Sequence, residues 1–118
     1  MSLHELSDEK VLEIANPILD NILEGARTRS YDKFSRDFDA RFAEMVNIEE
    51  FERQQSYSVE RNGHIKGDRQ FLKCLRNEHS VMVLWIGEFE KLNGEILTGL
   101  NLREIDSKIK VVGIWHHH

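Results

Sequence analysis

Cysteine and proline are nearly absent from this sequence. Its 118 residues hold one of each, Cys74 and Pro17. A lone cysteine excludes an internal disulfide and a zinc site of the CxxC type. A lone proline leaves one place where a helix would be kinked or split. Positive charge is not in excess. Lys and Arg number 16 against 21 Asp and Glu, a formal charge of -5. The basic footprint of a nucleic-acid-binding protein is therefore missing. No apolar run approaches the roughly 20 residues that span a bilayer. No GxxxxGK or GxGxxG pattern offers a phosphate loop. Residues Met1 to Glu5 carry no basic, signal-like segment, so the chain reads as cytoplasmic.

What is present is ordinary globular composition, 40% hydrophobic and 31% charged. The length suits one domain with one core. The terminal run His116-His117-His118 reads as a purification-tag remnant, which places the domain at 1–115 and leaves His4, His64 and His79 as native histidines.

Near Gly63 the apolar period changes from helical to strand spacing. Ser7 can cap a first helix whose stripe is Val11, Leu12, Ala15, Ile18, Leu19, Ile22, Leu23 and Ala26, with Pro17 predicting a kink. Ser30 can cap a second helix to about Phe38, and Ala40 to Val46 adds a further turn or two. Asn47 can cap a third, with Glu50 at the capping-box position and Ile48, Phe51, Gln55 and Val59 along its inner face. Asn62-Gly63 is the stop. Four strands fit the remainder, at about Lys66 to Arg76, Ser80 to Glu90, Glu95 to Ile105 and Lys108 to Trp115, with Gly67 a candidate bulge and Asn93-Gly94 a hairpin turn. Short links predict an antiparallel meander. The fold class is α+β, three N-terminal helices packed on a curved antiparallel four-stranded sheet.

This order of elements resembles the cone-shaped nuclear transport factor 2-like, or cystatin-like, proteins. That group includes ketosteroid-isomerase-like and polyketide-cyclase-like members. The segments that carry the resemblance are Ala26-Arg27-Thr28-Arg29-Ser30-Tyr31-Asp32-Lys33-Phe34-Ser35, Asn47-Ile48-Glu49-Glu50-Phe51, and the final hairpin from Glu104 to Trp115. It implies a pocket at the wide end of the cone and dimerisation through the sheet. The group hosts isomerases, dehydratases, cyclases, binding modules and dimerisation modules, so the fold does not select among them. Its acid–base enzymes place tyrosine and acidic side chains inside the cone. Here the first helix has no tyrosine or histidine in its stripe, and Val81 to Gly87 has no titratable side chain.

Candidate chemistry is sparse. Asp37, Asp39 and Tyr57 are the residues an isomerase, lyase or cyclase would use as acid or base. Helix termination and solvation are the simpler account of the two aspartates. His64 and His79 flank the first strand, too far apart to share a metal, and neither a metal nor a cofactor is expected. Cys74 lacks a histidine partner in the sequence pattern and reads as a structural thiol. Arg69, Lys73, Arg76 and Arg103 form either a cationic patch or cross-strand pairs with Glu88, Glu90 or Glu104. Tyr57, Phe71, Trp85 and Trp115 are the candidate walls of a pocket for a small apolar or aromatic ligand; core packing is the alternative for all four.

Both faces of the predicted strands are apolar. Val81, Val83, Trp85 and Phe89 alternate with Met82, Leu84 and Ile86, and in the fourth strand Ile109, Val111 and Trp115 alternate with Val112 and Ile114. A sheet apolar on both sides needs two covers, which points to a homodimer through the sheet face. The sequence thus predicts a non-catalytic small-molecule-binding or protein-interaction module, with a small acid–base enzyme as the alternative.

Overall fold

The computed structural model describes residues 2–117. A 3₁₀ turn, Leu3–Glu5, precedes α1, Asp8–Arg27. The Ser7 hydroxyl accepts the Lys10 N–H at 3.2 Å, and Asp8 and Glu9 sit in the first turn, where carboxylates favour the helix dipole. Val11, Ala15, Leu19 and Ile22 recur every three or four residues and are at most 2% exposed. The helix runs through Pro17 without splitting. Pro17 and Glu13, whose carbonyl loses its helical donor, are both exposed, so water can replace that donor.

The second helix, α2, is only Tyr31–Phe34. It stops before Phe38 because Phe38 forms a parallel bridge to Val111. Val111 donates to the Asp37 carbonyl at 2.7 Å, and Asp39 donates to the Val111 carbonyl at 3.0 Å. The backbone here is thus spent on the sheet. Helix α3, Ala40–Met45, is capped by the Asp39 carboxylate, which accepts the Phe42 N–H at 2.8 Å. Helix α4, Ile48–Gln54, is capped by Asn47, which accepts the Glu50 N–H at 3.0 Å. It continues as a π-helical turn, Gln55–Val59, and ends in α5, Glu60–Asn62, against Gly63 at a φ of 76°.

The sheet is an antiparallel meander, in order β1 (Gln70–Arg76), β2 (Val81–Gly87), β3 (Ile96–Ile105) and β4 (Lys108–His117). It is curved and unclosed, and with the helices packed on it the fold is α+β, as the sequence implies. Strand limits differ from the predicted ones for one reason. Segment 64–66 pairs with residues 88–90 outside the sheet: Lys66 donates to the Glu88 carbonyl and Glu90 to the His64 carbonyl, each at 2.9 Å. The first strand therefore begins at Gln70. The second stops at Gly87, and Asn93-Gly94 lies in a wide loop instead of a two-residue turn. The tight hairpin is the next one, where Asp106 and Ser107 both have positive φ, 52° and 66°, as a type I′ turn requires.

The bulge is not at Gly67. Register shifts occur between Phe71 and Lys73 and opposite Asn101/Leu102. The second shift skips Val112: Leu102 faces Val111, whereas Asn101 faces Gly113. One inserted residue reverses which side chains point inward. Ile114 and His116 join Val111 on the inner face, and Trp115 turns to the outer face. This corrects the predicted alternation, which put Trp115 beside Val111. Strand β4 also continues past Trp115, with His116 opposite Thr98 and His117 opposite Leu97.

The core lies between α1 and the inner face, Val81, Val83, Trp85, Leu100, Leu102 and Val111. A phenylalanine cluster closes one side, with Phe34–Phe51 ring centres at 4.7 Å and Phe38–Phe42 at 4.6 Å. Arg69 and Arg76 do not pair across strands; both reach α1. Arg69 meets Asp20 at 2.8 Å and lies 5.4 Å over the Trp85 ring, and Arg76 meets Asp8 at 2.8 Å.

Gly25 sets the closest helix approach: a Cβ there would lie 2.4 Å from the Phe34 nitrogen, a backbone atom that cannot yield alone. Gly25→Ala should cost about 1–3 kcal/mol by overpacking. Urea unfolding measures it, with Gly67→Ala, where a Cβ meets nothing within 4 Å, as the near-neutral control.

Candidate functional site

A cavity of about 440 Å³ opens between the end of α1, the run from α4 to His64 and the end of β4. Its apolar wall comes from Ile22, Leu23 and Ala26 of α1, Phe34, Phe89 and Ile114. Its polar wall comes from the π turn and the segment after it: Gln55, Ser58, Asn62 and His64. His116 completes the rim from β4. Helical spacing explains the first group, since Ile22 and Ala26 continue the α1 stripe of Val11, Ala15 and Leu19. The second group is there because α4, the π turn and α5 form one continuous run that ends at Gly63.

Gln55 is the least expected member. It is 8% exposed, on a helix face otherwise occupied by Phe51 and Val59. Its carboxamide has no hydrogen-bond partner among the described residues. Nor is it among the side-chain polar atoms that are both sealed from solvent and unpaired, which among the described residues are Arg69 Nε and Asn101 Oδ1. The amide therefore faces the cavity. π-Helical turns widen a helix locally and are frequent at functional sites.

The two imidazoles are held neutral. Burial pushes the His64 pKa down, and Arg27 lowers it further, against an opposing pull from Glu90. Burial pushes His116 down to about 4. The His116 Nδ1 lies 3.1 Å from the Thr98 hydroxyl, and its ring meets Phe89 edge-on at 6.2 Å between centres. Among the described residues Arg53 is the only permanently charged one on the lining, and Glu50 engages it twice, through Nε at 2.8 Å and through a second nitrogen. Glu50 thus reaches forward along the helix to Arg53 and Gln54 instead of back to its cap.

The aromatic residues singled out in the sequence are not brought together. Tyr57 is 59% exposed and its hydroxyl accepts from Arg61 at 2.6 Å. Phe71 is half-buried against the core. Trp85 is 1% exposed, in the middle of the core. Trp115 borders the cavity only through its place between Ile114 and His116; its ring covers Gly99 on the outer face, where a Cβ would come within 2.4 Å of ring carbons. Asp37 and Asp39 do not line the cavity either; Asp39 is a helix cap and the Asp37 carboxylate lies 3.5 Å from Arg36. Cys74 is buried, and burial together with Asp8 raises its pKa to about 11, so it is a thiol at neutral pH. Among the described residues no three His, Cys, Asp or Glu side chains are grouped to hold a metal ion.

The polar lining that the sequence reading missed had one visible signal. Gln55 interrupts an apolar helix face, the pattern of a buried polar group with a task. His116 was set aside in the sequence with the terminal histidine run, and its inward direction depends on the bulge at Val112. In comparisons with known proteins, no protein-family model and no curated protein matches the chain.

Two measurements check this description. Cys74 in the native protein should react with a thiol reagent only at the rate of unfolding, and fast in urea. For His116 the folded pKa of about 4 lies below the ordinary 6.5. The unfolded chain therefore binds the extra proton as pH falls below 6.5, and stability present above that pH is lost progressively towards pH 4. Urea unfolding across this window should show a loss of about 1–3 kcal/mol from this group, which His116→Phe removes.

Proposed function

We propose that this chain is a non-catalytic small-molecule-binding module of the nuclear transport factor 2-like kind, acting in the cytoplasm as a homodimer through its sheet. The observation that carries the binding reading is the open cavity, apolar on one wall and lined on the other by Gln55, whose amide has no protein partner and is open to solvent. A ligand that pairs with that amide takes the place of its water while its apolar body leaves solvent. The acid–base alternative is weaker. It called on Asp37, Asp39 and Tyr57, and all three lie outside the cavity.

The dimer reading rests on the outer face of the sheet. Met82, Ile86, Leu97 and Trp115 are half-buried there, Leu72 is 50% exposed and Leu75 38% exposed. A continuous apolar strip of this kind marks an interaction surface. A second copy supplies a matching strip under two-fold symmetry. No helix among the described residues is long and apolar enough to cross a membrane.

Native mass spectrometry followed by denaturing release tests both parts. The expected result is a dimer carrying a small molecule. Ile86→Glu, on the outer face, should give a monomer that keeps the bound molecule. A ligand-free dimer would leave only the interaction module, and a native monomer would remove the sheet interface.

A further inference from the structure

We infer that the cone cavity selects an uncharged ligand, one with an apolar body and a single amide-like edge that pairs with the Gln55 carboxamide. The inference rests on the binding reading above and adds the chemistry of what is bound.

Three observations carry it. The first is the charge inventory of the wall. Among the described residues no aspartate, glutamate or lysine lines the cavity. Its one arginine, Arg53, is gripped by Glu50 through two nitrogens. Nothing on the wall offers a free counter-charge, and taking an isolated ion into such a space is strongly unfavourable.

The second is the position of Gln55. It is buried, it faces the cavity, and it makes no hydrogen bond to the protein. A carboxamide presents a carbonyl acceptor and an N–H donor side by side. Its full complement is a group with the same two functions in reverse order, which is a primary amide or a lactam. A carboxylate accepts only, and would leave the Gln55 carbonyl unpaired beside a negative oxygen. An ammonium donates only, and would leave the Gln55 N–H groups unpaired.

The third is the shape of the opposite wall. Phe34 and Phe89 are 8% and 9% exposed and line the cavity with Ile22 and Ile114. This wall suits a ring system or a branched apolar body of modest size. His64 supports the same selection, since burial and Arg27 keep it neutral and therefore no partner for an acid.

The test uses three probes that share one ring system and differ in charge: 1-naphthamide, 1-naphthoate and 1-naphthylmethylammonium. Each is titrated into the full chain by calorimetry near pH 7.5. The amide side-chain resonances of Gln55 are followed by ¹⁵N–¹H correlation spectra in the same titrations. The expected result is binding of 1-naphthamide at least tenfold tighter than either ion, with the Gln55 side-chain resonances shifting. Gln55→Leu should then weaken 1-naphthamide at least fivefold and bring the three probes closer together. The wild-type spectra decide the matter even if that variant fails to fold. Equal or tighter binding of an ion would overturn the selection while leaving the cavity a binding site. Binding of 1-naphthamide without movement of the Gln55 resonances would overturn the pairing. No binding of any probe would overturn this inference and the binding reading together.

Discussion

The stripe Val11, Ala15, Leu19 and Ile22 on α1, lying in the concave face of the sheet, is the contact on which the other elements depend. All four residues are at most 2% exposed, and they meet an inner face whose Val81, Val83, Leu100 and Leu102 are fully buried. Removing such surface from water is the dominant favourable term in folding, on the order of 2 kcal/mol for each large side chain. The arginines reinforce this layer from both ends of β1, Arg76 on Asp8 and Arg69 on Asp20. They orient the helix more than they hold it, since both carboxylates are half-exposed and well screened.

The last turns of α1, with Ile22, Leu23 and Ala26, meet the segment 53–65 and the end of β4 around the cavity. Phe34 and Phe51, with ring centres 4.7 Å apart, join the helical run to this wall. Gly25 lets α2 come close to α1, because a Cβ there would clash with the Phe34 backbone.

Most of the architecture was legible because it rests on local rules. Ser7, Ser30 and Asn47 each cap the helix that the sequence assigns to them. The period change near Gly63 does mark the passage from helices to sheet. What escaped was every feature that pairs distant segments. The loop at 88–90 bonds to 64–66, which shortens two strands. The Phe38–Val111 bridge ends α2 early. Neither partner carries a mark of the other in sequence. Of the aromatic candidates Trp115 borders the cavity; Trp85 is a good pocket residue by type, but it is 1% exposed on the inner face of a central strand, inside the packed core.

The sequence by itself determined the class of the molecule: α+β, with strands apolar on both faces and a lone cysteine that reads as a structural thiol. Hydrophobic period and capping are properties of neighbouring residues, and they need no knowledge of the rest of the chain. Only the tertiary structure decided which side chains enter the cavity. A single extra residue at Val112 turns Trp115 outward and His116 inward, because side chains in a strand alternate with a period of two. That residue is extra only relative to β3, and its effect exists only once the two strands are paired.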